Sequence, residues 1–354
     1  MEKVLQEFRE QILAASAAGS ALRIQGGASK SWYGNVCEGE ILDTRAHTGV
    51  IAYEPTELYI TARAGTPLLE IENLLAQHGQ MLAFEPPHFG ATATVGGMVA
   101  AGLSGPRRAT SGALRDFVLG VSLMNGKGEF LQFGGQVMKN VAGYDVSRLM
   151  AGAMGELGLL LDISLKVMPR PVVETSLAFA MSEVDALHAL NTWAGQALPM
   201  SASAYHAGRL TIRLSGSESA LRLARAKLGG QELGDMQAFW TSLREQEHQF
   251  FTPEEGLALL RLSLPSSAPE LKIRSKNLIE WGGAQRWIWT HEPLSAVREM
   301  VQNMGGHVTQ FRYADSSQPV FTPLNPALLK IHQELKKAFD PAGIFNRGRL
   351  FASA

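Results

Sequence analysis

Gly26-Gly27-Ala28-Ser29-Lys30-Ser31 follows directly on the β-like run Ala21–Gln25 and is closed by Gly34. Consecutive amides in such small residues can curl into a concave nest whose N–H groups point at an anion, typically a phosphate. Lys30 and the serine hydroxyls would add charge-assisted bonds to it. A plain glycine-rich turn remains open for the same residues. A second stretch runs Ala93-Thr94-Val95-Gly96-Gly97-Met98 and on through Ala100-Ala101-Gly102-Leu103-Ser104-Gly105. Its small residues leave room for something flat against the backbone, or else make a loop packed beneath a helix. A third joins Gly143-Tyr144-Asp145 to Gly152, Gly155 and Gly158. Fifteen of the 36 glycines fall between Gly90 and Gly158, which suggests tight turns or a backbone wrapped around a ligand.

Other residues could act on a substrate. Arg107 and Arg108 carry guanidinium forks that suit a carboxylate or phosphate, although arginine more often lies on the surface or at a contact. Lys139 precedes the Gly-Tyr-Asp segment and is a compact cation for a cofactor or substrate. His88 titrates near neutrality and could move a proton; beside two prolines it could equally be held by backbone. Arg107, Lys139 and His88 are therefore candidates for catalysis with no assigned step. His307 follows Gly305-Gly306 and reads as a strand start, and Cys37 reads as inert.

The elements that would position these residues belong to an ordinary globular chain. With 354 residues, 45% apolar and 18% charged, two or three domains fit the length. Disorder and fibrous structure are excluded. A formal charge of -1, from 32 basic and 33 acidic residues, argues against nucleic-acid binding. One cysteine cannot form an internal disulfide, a four-cysteine zinc site or a thiolate-held iron–sulfur cluster. The nine histidines come no nearer than ten positions apart, so no local metal motif exists and no metal is expected. There is no G-x-G-x-x-G and no G-x-x-x-x-G-K-[ST], which sets aside the common Rossmann and P-loop classes. Residues 1–22 read as an amphipathic helix rather than a signal peptide. Residues 86–106 lack charge but hold five glycines and three prolines, against a membrane span. A cytoplasmic protein is expected.

Hydrophobic spacing predicts strands at Ala21–Gln25, Ile41–Asp43, Tyr59–Ala62, Phe117–Met124, Phe130–Phe133 and Leu157–Val167. Asn125-Gly126-Lys127-Gly128 predicts a hairpin. Helices are predicted over Pro67–Gln77, with Thr66 as cap, and over Ser147–Met154. Met168-Pro169-Arg170-Pro171 marks a domain boundary. Beyond it, strands are predicted at Thr175–Ala180, Ala204–Leu214 with a turn at Gly208, Ala258–Leu264, Arg286–Thr290 and His307–Phe311. Helices alternate with them at Glu183–Gln196, Ser217–Leu228, Asp235–Phe251, Pro269–Ile279 and Leu294–Asn303. This order suggests two β-α-β-type halves. A last helix, Pro326–Phe339, leads into Asp340-Pro341-Ala342-Gly343-Ile344-Phe345-Asn346.

In this order and at these separations the glycine-rich stretches resemble the FAD-binding domain of the vanillyl-alcohol oxidase / p-cresol methylhydroxylase (PCMH) type. In that family the first loop holds the FAD pyrophosphate, and T-[VI]-G-G begins a second stretch along the cofactor. G-Y-D…G-x-x-G-x-L-G completes the site, and an F-D-P-x-G-[IL]-x-N tail returns to the flavin. All four are present, the tail as Phe339–Asn346, so the resemblance covers the full chain. The chain is similar in particular to the FAD-binding accessory subunits of bacterial glycolate oxidases. That likeness rests on Phe84-Glu85-Pro86-Pro87-His88, Gly102–Arg108, Val137–Asp145, Trp281–Trp287 and Gly305-Gly306-His307.

The resemblance implies an α+β fold. A PCMH-type FAD-binding domain of two α/β subdomains would occupy residues 1–170. An antiparallel-sheet-with-helices cap would occupy 171–324, and residues 325–354 would form a helix and tail returning to the flavin domain. It assigns to the cofactor Gln25, Gly26, Gly27, Ala28, Ser29, Lys30, Gly34, Pro87, Thr94, Val95, Gly96, Gly97, Ala101, Gly102 and Gly105. It adds Asp116, Gly143, Tyr144, Gly155, Leu157, Gly158, Leu160 and Asn346. The first loop has no histidine to tether a flavin, so FAD is expected to be held noncovalently. The implied function is that of an FAD-binding subunit in a complex oxidising glycolate to glyoxylate. Its partners would be a larger FAD-linked catalytic subunit and an iron–sulfur subunit, with any membrane contact made through them. A self-sufficient 2-hydroxyacid dehydrogenase and a non-catalytic, partner-stabilising subunit are the alternatives. Three departures stand out. Glu156 sits where G-T-L-G is usual and is expected to point away or accept a sugar hydroxyl. Arg347 replaces a common proline, and the H-x-x-x-G-N-x-H metal motif of catalytic relatives is missing.

Overall fold

Phe8, Ile12 and Ala15 fall on one face of the first helix, α1 (Lys3–Ala18), as a 3.6-residue period requires. That face packs on Leu22, Leu42, Leu159, Leu161, Ile344 and Phe345. The computed structural model describes residues 3–135, 145–273, 275–312 and 317–351. Strands β1 (Leu22–Gln25) and β2 (Glu40–Asp43) pair in parallel. The C-terminal tail runs along the other edge of β1. Leu22 N donates to Ile344 O at 2.8 Å, and Asn346 N donates to Leu22 O at 2.9 Å.

The chain then builds an antiparallel sheet from β3 (Val50–Glu54), β4 (Tyr59–Arg63), β6 (Val118–Met124), β7 (Phe130–Gly134) and β8 (Leu159–Lys166), in the order β3-β4-β8-β6-β7. Between these strands lie α2 (Leu68–Gln77), β5 (Gln80–Met81), α3 (Val95–Ala101), α4 (Arg108–Ser111) and α5 (Val146–Leu149). The core joins Ile60 and Ile163 of the sheet to Leu68, Ile71 and Leu75 of α2 and to Val95 and Val99 of α3. Each such fully buried side chain contributes roughly 1.5–3 kcal/mol. The helix predicted over Ser147–Met154 is the single turn of α5. Thr66 is not the cap of α2; Pro67 holds that position, and the Thr66 hydroxyl accepts from Gly49 N at 2.9 Å instead. The Pro-containing break contains a short strand, β9 (Met168–Pro169), paired with β5.

The remaining strands form one sheet of eight, in the order β13-β10-β12-β11-β15-β16-β14-β17. They are β10 (Val173–Ala180), β11 (Met200–His206), β12 (Arg209–Gly216), β13 (Gln231–Gly234), β14 (Ala258–Ser263), β15 (Lys276–Glu280), β16 (Gln285–Thr290) and β17 (His307–Arg312). Helices α6 (Glu183–Ala194), α7 (Glu218–Leu228), α8 (Gln237–Glu245), α9 (Leu294–Asn303) and α10 (Pro326–Phe339) complete the chain. The two expected halves are joined by antiparallel pairing of β11 with β15. That pairing corrects the helix predicted over Pro269–Ile279. Leu278, Ile279 and Glu280 are buried in succession, which suits a strand hydrogen-bonded on both edges and covered on both faces. The helix predicted over Asp235–Phe251 stops at Gln246, whose φ of 58° turns the chain, before a 3-10 turn at Gln249–Phe251.

Candidate functional site: a cationic cleft over the first glycine-rich loop

Where β1 ends, the loop 26–31 is pressed onto the segment before α3. A Cβ on Gly27 would lie 1.4 Å from Thr92 O, and one on Gly26 would lie 2.4 Å from Thr94 Oγ1. At position 27 no residue but glycine fits without moving backbone, and at 26 a larger one would displace the Thr94 hydroxyl. Ala28 follows at φ 57°, a left-handed conformation that helps turn successive amides inward. Thr94 caps α3 by accepting from Gly97 N at 3.2 Å, worth about 1 kcal/mol. Gly96 sits against Ala64, where a Cβ would stand 2.7 Å from that residue's own. Opposite, Gly155 faces Asn346, whose Oδ1 accepts from Ile24 N at 2.8 Å and whose Nδ2 donates to Met154 O at 2.6 Å. The tail asparagine thus ties β1 to the third glycine stretch.

These segments enclose a cleft with about 930 Å³ of free space, part of it open to solvent. Fourteen of the expected cofactor residues line it: Gln25, Gly26, Gly27, Ala28, Ser29, Lys30, Thr94, Gly96, Gly97, Ala101, Gly155, Gly158, Leu160 and Asn346. Its cations are Lys30 with Arg23 and Arg349, and among the described residues no aspartate or glutamate lines it. Lys30 Nζ donates to His88 O at 3.0 Å. Burial lowers its pKa to about 8, against the pull of Glu245. Arg23 Nε is buried without a hydrogen-bond partner, a state that costs about 1–3 kcal/mol until a ligand relieves it. A glycine-rich backbone at 26–29, three cations and an orphaned N–H along one cleft fit a dinucleotide carrying a diphosphate.

The other expected residues stand elsewhere. Val95 and Leu157 are buried in the core behind the cleft. Gly34 packs against Met154 and Arg349, and Gly102 ends α3 at φ 65°. Pro87 and Gly105 line a smaller hollow of about 320 Å³, with Leu103, Glu280, Trp287 and Phe311. Asp116 is exposed and accepts from Ala113 N at 2.9 Å, away from the cleft. Gly143, Tyr144 and Lys139 lie outside the described residues.

Arg107 is buried against β10 and β12 of the eight-stranded sheet, not at the cleft. It pairs with Glu174 at 2.7 Å and with Glu85 at 3.3 Å, and Arg213 meets the same Glu85 at 2.8 Å. Every carboxylate in this interlock meets two guanidinium groups. His88 holds Glu72 through Nε2 at 3.0 Å, and Arg108 lies over the Trp281 ring at 4.5 Å. Glu156 points away from the cleft, as one of the two expectations had it, and accepts from Leu350 N at 2.8 Å. Arg347 reaches Gly19 O at 2.9 Å. Among the described residues no three or more His, Cys, Asp or Glu stand together to hold a metal ion. Sequence reasoning did not assign Arg23, Ile24, Ser31, Cys37, Thr44, Ala64, Ala100, Met154 and Arg349 to the cleft wall, although Ser31 and Ala100 stand in the glycine-rich stretches it singled out. Of the rest, only Arg23 left a signal, two residues before Gln25 on the same face of β1.

A diphosphate cradle held between a β-α frame and a returning tail defines an FAD-binding protein, and a family described as FAD binding domain matches residues 4–134. The chain belongs to the FAD-dependent flavoprotein family that includes glycolate oxidase subunit GlcE of Escherichia coli (strain K12), to which it is 47% identical over 347 residues, 98% of this chain and 97% of that one. It is also 32% identical over 165 residues to a D-lactate dehydrogenase of Archaeoglobus fulgidus, covering 46% of this chain and 36% of that protein. Glycolate oxidase subunit GlcD of Bacillus subtilis matches at 29% over 134 residues, 38% of this chain and 28% of that one. An alkyldihydroxyacetonephosphate synthase structure superimposes with a TM-score of 0.65 at 14% identity, over 96% of this chain and 74% of that chain. That likeness places the fold in the PCMH-type class. FAD is the cofactor the family binds and the cleft fits.

Proposed function

We propose that this chain is the FAD-holding subunit of a complex that oxidises glycolate or a near 2-hydroxy acid. The observation that carries the reading is the likeness to glycolate oxidase subunit GlcE along nearly the whole of both chains. The amides of residues 26–29 and the Lys30 ammonium would hold the diphosphate. Thr94 to Gly97 would lie along the cofactor, and Gly155 to Leu160 with Asn346 would close its far side. FAD, when bound, supplies a two-electron acceptor, while the protein sets its position and electrostatics. In this reading residues 1–170 and 325–354 form the cofactor half and 171–324 the cap. Tail packing on β1 supports the assignment of 325–354.

Electrons would leave through other chains, a larger FAD-linked subunit and an iron–sulfur subunit, because one cysteine cannot hold a thiolate-ligated cluster. Among the described residues no helix is long and apolar enough to cross a membrane, so attachment to one would run through these partners. One observation favours the self-sufficient dehydrogenase instead. Glu280 lines the smaller hollow, and burial raises its pKa to about 7 against hydrogen bonds from Trp287 and Gln285. The visible spectrum separates the readings. A yellow chain that bleaches with glycolate only after the partner subunits are added supports the proposal. Bleaching of the chain alone supports the self-sufficient enzyme, and a colourless chain that still assembles overturns both. Acid precipitation should release all of the yellow colour, as noncovalent binding requires.

A further inference from the structure

Arg349 lies three residues past the tail motif, lines the cleft, and directs its side-chain bonds to the end of the glycine-rich loop and the residues just after it. Its Nη2 donates to Ser31 O at 2.6 Å and Lys30 O at 3.4 Å. Its Nη1 donates to Asn35 O at 3.1 Å and approaches Cys37 Sγ at 3.8 Å. The loop answers in kind. Asn35 N donates to Arg349 O at 2.9 Å, and Asn35 Nδ2 donates to Gly348 O at 3.0 Å and Leu350 O at 3.2 Å. Gly34 leaves the room for this, since a Cβ there would stand 3.0 Å from Arg349 O. The tail is fixed on both sides of the arginine. Asn346 bonds β1 and Met154 O, and Leu350 N donates to Glu156 at 2.8 Å.

A guanidinium has five donors in a rigid planar fork, so one group can hold carbonyls on two sides at fixed angles, a geometry the three-donor ammonium of lysine does not impose. Among the described residues Arg349 forms no ion pair with a carboxylate, so its charge stays available to the cleft it lines. We propose that Arg349 is a positioning residue for the cofactor's phosphates: it braces residues 30–35 from the C-terminal tail, so that the loop's amides stand ready before the dinucleotide arrives. Bridging the carbonyls keeps the loop from relaxing outward, and the uncompensated charge adds attraction for the diphosphate. Ordering carried in advance is ordering that binding need not supply. The unusual Glu156 then has a task in the same device, as the anchor of residue 350.

This inference rests on the reading of the cleft as the FAD site, and the test keeps the two apart. The full chain, freed of flavin, is compared with R349A and R349K. Kd for FAD and for ADP is taken by calorimetry, and amide exchange across residues 30–35 is measured without ligand. R349A should weaken FAD and ADP alike by at least tenfold and speed exchange in 30–35, while exchange in the eight-stranded sheet stays unchanged. R349K keeps the charge but lacks the planar fork whose two nitrogens reach Ser31 O and Asn35 O together, so it should restore part of the affinity and leave exchange fast. Full recovery of both readouts in R349K, or unchanged exchange in R349A, overturns the brace. E156Q serves as a second variant that leaves Arg349 in place, and a smaller rise in exchange over the same residues is expected. If the unaltered chain binds neither FAD nor ADP, the reading of the cleft fails, while the exchange comparison still decides the brace.

Discussion

Lys30 is the residue whose charge the cleft controls. Burial leaves it with a pKa near 8 rather than the ordinary lysine value of 10.5, because an ammonium in partly desolvated surroundings is disfavoured until an anion joins it. A bound diphosphate would push that pKa back up, so binding takes up a proton once the pH exceeds about 8. FAD affinity should therefore hold between pH 6 and 7.5 and fall as the pH climbs from 8 toward 10. Lys30→Met should start weaker and show a flatter profile over the same range. Titration calorimetry in buffers of different ionisation heat reads both the affinity and the proton uptake. In the flavin-free protein the sign is opposite. The folded chain holds that proton less well than the unfolded chain, so a cost present below pH 8 is relieved as the pH rises toward 10.5.

The tail is an element without regular secondary structure that depends on one buried carboxylate. Asp340 has no exposed side-chain surface. It accepts from Ile344 N at 3.0 Å and Phe345 N at 2.8 Å, and pairs with Lys336 at 2.8 Å. Lys336 also donates to Glu156 O and Phe345 O, each at 2.7 Å. Asp340→Ala would strand two buried amides and a cation, at a cost on the order of 2–5 kcal/mol. Urea unfolding should show that loss, and proteolysis of the native protein should release the C-terminal residues at protease levels that leave the wild type whole. Asp340→Asn keeps one acceptor and should lie between. Because Phe345 and Asn346 flank β1, the same variants should also bind FAD less tightly.

At the scale of the molecule, the loops that carry Glu85, Gly105 and Arg107 are fastened to the eight-stranded sheet by the interlock with Glu174 and Arg213 and by Trp281 Nε1 on Gly105 O at 3.0 Å. Such buried pairs are weak evidence for net stability, yet removing one member is costly because the rest stay buried and uncompensated. Arg107→Ala should destabilise by about 3–5 kcal/mol, seen as a lower urea midpoint. Acid should act at the same place. Burial pushes the Glu174 carboxyl up, but hydrogen bonds from Arg107 and Ser215 outweigh it and hold its pKa below the usual 4.5. Stability from this group is thus complete above pH 4.5 and is lost as the pH falls through its lowered value. In Arg107→Ala that acid-dependent part should shrink.

Residue by residue, what can be read from the chain is what local chemistry dictates. Gly26 to Ser29, Thr94 to Gly97, Gly155 and Gly158 are legible as small-residue stretches because positive φ, close backbone approach and capping restrict residue type at the position itself, whereas their assignment to a cofactor, like that of Asn346, comes from the family resemblance. Helix α9 and the hairpin at Asn125–Gly128 were legible for the same reason, since their spacing and turn residues act over a few positions. Glu85 and Glu174 lie 22 and 67 positions from Arg107, so nothing beside that arginine in the chain announced that it was taken. Strand β15 was read as helix because its pairing with β11, more than seventy positions earlier, outweighs local preference. Arg349 acquires its meaning only when the tail folds back over β1 and brings its charge into the cleft beside that of Arg23. Short-range sterics and turn geometry were thus written in the sequence, whereas the compensation of charge and the order of the strands were settled by contacts between distant residues.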